Sequence, residues 1–328
     1  HFSTRVVVGP RPPLTGGIDG RLRFELPAPL VLEGSNGAGS REEIGQPPLE
    51  SIVAGFEAAH PGSVGRISTT FARGESLKDA LARLADEAVR LVRNGAMLLL
   101  LDDAEANNNG RLWIDPMLAV SRIDIALKSV RLGPGDNLRR QASIVLRSAA
   151  IRNLHDIAVA CGLGADLISP YALFATAAAK NGPAGAHKAF IALQKGLEKV
   201  ISTIGTHELR GYTRFFSAIG LKPEIAEVLD IISYLGGDEA GTGFAELEAD
   251  AEARYADYND NPKAKPAKNF RFFTRIWKAL GDAASGAAPY SEYRDKLREE
   301  EARNPVSIRH CADFDFEKAR AEGRKPLS

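Results

Sequence analysis

A chain of 328 residues with 44% hydrophobic content can bury one large core or two modest ones, as a soluble globular protein does. Its 42 Lys plus Arg balance 42 Asp plus Glu, so no one-signed field draws nucleic acid or an anionic membrane, and neither is expected as a partner. No apolar run reaches the roughly 20 residues that span a bilayer, and the start at His1 lacks a charged-then-apolar leader, so the expected location is the cytoplasm.

Residues 1–63 are rich in Pro and Gly, with short pieces such as Val6 to Val8 and Arg21 to Phe24 between them. They read as an extended lead-in with a strand or two. From residue 66 the pattern changes. Ile67 to Phe71 reads as a strand, and Ser76 with Asp79 opens a helix whose Leu77, Leu81, Leu84, Ala88 and Leu91 recur at three and four residues. Gly95 ends it. Ala96 to Leu101 is apolar at every position and closes on Asp102 and Asp103, as a parallel strand covered by helices on both sides does.

A helix over Pro116 to Val130 follows, and the unit then repeats. Ala142 to Leu146 reads as strand, Ala149 to Cys161 as helix, Ala165 to Ile168 as a shorter strand, and Tyr171 to Ala179 and Ala186 to Ile201 as helices. The expected fold is α/β, a parallel sheet with flanking helices, either an open sheet or a partial (β/α) barrel. Beyond residue 205 the reading is mainly helical, with an Ile225, Val228, Leu229 and Ile232 stripe after Pro223, a surface loop over 255–268, a basic aromatic helix from Phe270 to Leu280 and a charged helix around Ser291 to Arg303. The organisation expected is a lead-in over 1–63, a central α/β domain over 64–250 and a helical arm over 251–328.

Asp102 and Asp103 fall at the carboxyl end of a parallel strand, where α/β proteins place ligands. Asp also starts polar loops by binding nearby backbone, which accounts for the same residues without a ligand. Arg147 and Ser169 follow apolar strands in the same way. A stand-alone enzyme or small-molecule binder of this fold would therefore place its site at Asp103, Arg147 and Ser169. His155, His187 and His207 are isolated, and the neighbour of His155, Asp156, projects about 100° away around its helix. No metal ligand set is expected from them.

Gly34 to Ser40 is glycine-rich, but Arg41, Glu42 and Glu43 follow it where a phosphate loop needs Lys, so a flexible turn is expected. Gly241, Thr242 and Gly243 lack the third glycine and the preceding strand of a dinucleotide fingerprint. The cysteines are Cys161 and Cys311, short of the about four thiolates of an iron–sulfur cluster. No Ser or Cys stands at a nucleophile turn with a matching His and acid. Nothing in these residues favours covalent catalysis, and no cofactor is expected in this chain.

Several ordered segments carry a resemblance. Arg152, Asn153, Leu154 and His155 look like an Arg-Glu-x-His helix, and Gly164 to Tyr171 resembles Gly-Ala-Asp-Ala-Ile-Asn-Pro-Tyr. Lys195 to Gly205 is similar to Lys-Gly-Leu-x-Lys-x-Met-Ser-Lys-Met-Gly, and Phe216 to Leu221 to Phe-Glu-Ala-x-Gly-Leu. In this order they resemble the central domain of the large chain of glutamate synthase, with weaker similarity through Ser76 to Asp103. Tyr290 to Pro305 and Arg324 to Leu327 look like the join to that family's flavin barrel.

The resemblance implies a piece of a longer enzyme that makes glutamate from glutamine and 2-oxoglutarate. Its partners would be a glutamine amidotransferase domain and an FMN-binding barrel. FMN and an iron–sulfur cluster are implied for that parent, and for this segment a noncatalytic role in enclosing the path of ammonia. The chain departs from the family's pattern at Asp102 to Ala104, at Ile123 to Ile125, where the family carries a histidine run, and at Tyr212 to Arg214, where it has Gly-Ala-Gln.

Overall fold

The computed structural model describes residues 2–13, 16, 19–34, 45–238, 240–260, 276–303 and 321. They fall into two compact units, 1–262 and 263–328.

The larger unit opens with β1 (Val6–Val8) and β2 (Phe24–Leu26), paired antiparallel, and helix α1 (Leu49–Ala59). Next come β3 (Val64–Ser68), β4 (Thr70–Ala72), α2 (Leu77–Arg93), β5 (Leu98–Asp102), β6 (Arg111–Trp113) and α3 (Pro116–Ser129). A hairpin of β7 (Arg131–Gly133) and β8 (Asp136–Asn137) leads to β9 (Ser143–Arg147), α4 (Leu154–Leu163), β10 (Leu167–Ser169), α5 (Tyr171–Asn181) and α6 (Pro183–Ile204). The unit closes with β11 (Ala218–Ile219), α7 (Pro223–Leu229), β12 (Ser233–Tyr234) and α8 (Phe244–Asp260).

The central sheet has the order β10-β9-β5-β3 with every pair parallel, so consecutive β/α crossovers march in one direction. Its outer strands do not pair with each other, and the sheet is open. Local chemistry fixes the crossover helices. Ser76 caps α2 by accepting from the Asp79 amide at 3.1 Å, and Asp115 caps α3 ahead of Pro116 at the first helical position.

Alternation along each strand sends Leu99, Leu101, Ile144, Leu146 and Ile168 toward α2, α3 and α4. It sends Leu98, Leu100, Val145 and Leu167 to the opposite face, against Val8, Leu26, Val31, Ile52 and Phe56. Both faces are dry, which is why β5 is apolar from Leu98 to Leu101. Each of its leucines contributes about 2 kcal/mol by burial.

That second face is where the sequence reading needs correction. The cover is not a second layer of crossover helices but β1, β2 and α1, all from residues expected to be an extended lead-in. Their apolar side chains are split among separate short pieces, so no period marks them. Leu30 bridges Ile168 in parallel, with the Ile168 amide donating to Pro29 O at 2.7 Å and the Val31 amide to Ile168 O at 3.0 Å. This closes off the β10 edge.

Three boundaries differ from the sequence reading for local reasons. The expected strand over Ile67 to Phe71 breaks at Thr69, whose amide donates to Asp102 O at 2.8 Å while its carbonyl accepts from Ile114, and the chain then leaves the parallel sheet to pair β4 with β6. Helix α4 starts at Leu154 rather than Ala149, because Asn153 is extended and caps the Asp156 amide at 3.0 Å, and the Ala149 amide is taken by Asp103. Residues 255–260, expected as loop, continue α8. There Tyr255 Oη accepts from the Gly110 amide at 3.1 Å and Asn259 donates to Asn107 O at 3.0 Å. The rest of that loop, the start of the helix expected at Phe270 and the Ser35 to Ser40 stretch lie outside the described residues.

In the smaller unit, α9 (Trp277–Ala284) and α10 (Tyr290–Arg303) pack on each other.

Candidate functional site

The register aligns the carboxyl ends of the strands: Ser68 stands opposite Asp102, Asp102 opposite Arg147, and Arg147 opposite Ser169. Asp103, Arg147 and Ser169 are therefore brought together, as strand-end placement anticipates. Glu33, at the end of the segment that covers β10, completes the group. Arg147 donates from Nε and Nη2 to the two Glu33 carboxylate oxygens at 2.8 and 3.1 Å, and from Nη1 to Asp102 Oδ1 at 2.9 Å. Ser169 Oγ donates to Glu33 Oε1 at 2.8 Å. The guanidinium lies over the Tyr171 ring at 4.1 Å.

Asp103 is held by donors of its own. Its Oδ2 accepts from Ser148 Oγ at 2.6 Å and from the Ala149 amide at 2.9 Å, and its Oδ1 accepts from Tyr171 Oη at 2.9 Å. Burial raises its pKa, against the pull of those hydrogen bonds. Tyr171 is raised too, by burial and then by the Asp103 charge. The Arg147 pKa is also raised: burial acts downward, and Glu33 and Asp102 outweigh it. Arg147, Ser169 and Asp103 are thus each engaged by an internal partner. A flavin phosphate does not fit here, since the cation it would need, Arg147, is held by two carboxylates. Nor does a thiolate-bound cluster, which needs about four thiolates where Cys161 is the one described cysteine.

Among the described residues no cluster of His, Cys, Asp and Glu converges on a metal position. His155 is exposed in the first turn of α4, and His207 stacks on Phe2 at 5.8 Å. His187 is buried on α6. Thr242, after Gly241, bridges Leu221 in parallel: its amide donates to Gly220 O at 2.8 Å and its carbonyl accepts from the Lys222 amide at 3.0 Å.

At the opposite end of the sheet lies a buried ion cluster that sequence reasoning missed. Asp124 on α3 receives Arg139 Nε at 2.9 Å, Lys128 at 2.7 Å and Arg214 at 3.3 Å. Arg139, 4% exposed, also donates to Ala142 O, Gly164 O and Asp166 Oδ2 at 2.7, 2.8 and 2.7 Å. Burial pushes the Asp124 pKa up, but Arg139, Lys128 and Arg214 outweigh it and hold it below the usual range. A charged residue inside the otherwise apolar stripe of α3 is the only sequence signal for this cluster. The cluster forms the floor of a cleft of about 620 Å³ walled by β1, the amino ends of β9 and β10, and residues 209–213.

The segments quoted for the family resemblance map onto packing. Gly164 has φ +124°, and a Cβ there would come 2.6 Å from the Asp124 carboxyl carbon. A Cβ on Gly196 would come 2.6 Å from a Leu154 methyl, so that glycine sets the approach of α6 to α4. Phe216 packs over Gly162 in the same manner.

Comparison with known proteins accords with this. The profile of the family described as glutamate synthase central domain matches residues 1–222. The chain is 30% identical over 197 residues to the glutamate synthase (NADPH) large chain of Bacillus subtilis (strain 168), across 54% of this chain and 12% of that one. It is 33% identical over 268 residues to the chloroplastic ferredoxin-dependent glutamate synthase of Oryza sativa subsp. japonica, across 71% of this chain and 16% of that one. It spans less than a fifth of either relative. Among solved structures, mandelate oxidase R163L aligns at a TM-score of 0.39 with 13% identity, over 64% of this chain and 85% of that one, too loose a likeness to bear on function.

Proposed function

The chain belongs to the glutamate synthase central domain family, and from that premise we propose that it is a noncatalytic spacer within a glutamate-forming enzyme. A stiff sheet, dry on both faces, holds a glutamine amidotransferase domain and an FMN-binding barrel in register and helps to enclose the route of ammonia between them. Enclosure keeps ammonia from escaping and from being protonated in bulk water. The FMN and the iron–sulfur cluster of the parent would sit in segments other than this one.

The observation that carries this reading is the closure of the strand ends. At the position where this fold places ligands, Arg147, Asp103 and Ser169 are all engaged with Glu33, Asp102, Ser148 and Tyr171. A group fully committed to its neighbours is a fastener rather than an acid or base. The reading is tested on the purified chain. It should release no ammonia from glutamine and bind no stoichiometric flavin mononucleotide, and either activity would overturn it.

A second reading, a small-molecule binder at Asp103, Arg147 and Ser169, draws on the convergence of those residues. It requires an acidic ligand to take the place of Glu33 on Arg147. Under that reading Glu33→Ala should gain affinity for a small carboxylate such as acetate, and under the spacer reading it should only lose stability.

A further inference from the structure

We propose that the cleft at the amino ends of β9 and β10 binds a small oxyanion carrying two negative charges, a phosphate or a dicarboxylate, through Arg11 and Arg210. The inference concerns the end of the sheet opposite Glu33 and stands independently of the spacer role.

The charge inventory of the cleft carries it. Its floor is self-neutralised: Asp124 and Asp166 are absorbed by Arg139 and Lys128, with Arg214 behind them. Arg23 is paired with Asp19 at 2.6 Å, and Arg140 with Asp136 at 3.3 Å. Arg11 and Arg210 also line the cleft, and among the described residues neither has a carboxylate within ion-pair distance. Two arginines that line one concavity are thus left without an ion pair among the described residues. The Arg11 pKa is lowered by desolvation against the cleft wall first and then by Arg139, with Asp166 opposing and Arg210 and Arg140 adding to it.

Both carriers are anchored at the backbone. The Arg11 amide donates to Arg140 O at 2.7 Å, and Arg210 sits in a tight turn whose Leu209 amide donates to Ser3 O at 2.9 Å. A planar guanidinium fork matches the paired oxygens of a carboxylate or phosphate, and two of them on fixed backbone select for two negative charges.

Isothermal titration calorimetry on the full 328-residue chain, with inorganic phosphate and with succinate at constant ionic strength held by sodium chloride, tests the proposal. One-site saturable binding of either anion is expected, weakened about tenfold or more by Arg11→Gln and by Arg210→Gln and abolished in the double variant. Phosphate alone would identify a phosphate site, succinate alone a dicarboxylate site, and both together a site that reads charge. Both arginines are exposed, so unchanged urea midpoints should confirm that the variants fold, and Arg294→Gln on α10 serves as the control. Absence of binding by both anions, or binding unchanged in the double variant, would overturn the proposal.

Discussion

Arg214 Nη1 stands 3.3 Å from Asp124 Oδ2, joining two positions 90 residues apart in one buried cluster. Arg214 further donates to Leu229 O at 2.9 Å and to Ser121 Oγ at 3.1 Å, so it ties α3 to the end of α7.

Asp124→Asn removes the one carboxylate that three cations share, and stranding buried charge is expected to cost about 3 kcal/mol. Arg214→Met leaves Lys128 and Arg139 on Asp124 and should cost about 1 kcal/mol. Urea unfolding of both variants checks the order. Because the folded pKa of Asp124 is depressed, its stabilisation is complete above the unfolded value of about 4 and is lost as pH falls through the lower folded value. Asp124→Asn should therefore show a shallower loss of stability below about pH 4 than the parent chain.

Two glycines separate strain from crowding. Gly164→Ala forces a side chain into positive φ against the Asp124 carboxyl group, and a cost of about 2 kcal/mol is expected. Gly196→Ala meets only Leu154 methyls, and Ala gains about 1 kcal/mol of helix propensity over Gly. Its net effect should be under half that of Gly164→Ala in thermal unfolding.

Arg147→Lys keeps the charge but not the fork that holds Glu33 by two oxygens, nor the stacking on Tyr171. It should cost about 2 kcal/mol and loosen the Pro29 to Glu33 segment on the β10 edge. Limited proteolysis should then cut that segment faster than in the parent chain.

The Cys161 thiol, pushed up to about 12 by burial, should be alkylated by iodoacetamide more than about tenfold more slowly in the folded chain than in urea at pH 8. A Cys311→Ser background isolates the signal.

The parallel core was legible because β5, β9 and β10 are apolar on both faces and α2 carries its own cap and stripe. Asp103, Arg147 and Ser169 were legible from one rule, that polar residues ending parallel strands share an edge. Glu33 was not, since its partner Arg147 lies 114 residues away and no period connects them. The stripe of Leu49, Ile52 and Phe56 in α1 spans only two turns after Pro48, too short to stand out from the Pro- and Gly-rich stretch before it. Asp124 and Arg139 were hidden because charge in an apolar stripe resembles an exposed position until its counter-charges are seen.

The spacer role is tested most directly in the full-length parent polypeptide, by the ratio of ammonia released to glutamate formed. With the fastener at the strand ends loosened by Glu33→Gln, that ratio should rise while glutamine hydrolysis and glutamate formation from added ammonia each keep their rates. Loss of either half-reaction outright, with no rise in released ammonia, would contradict it.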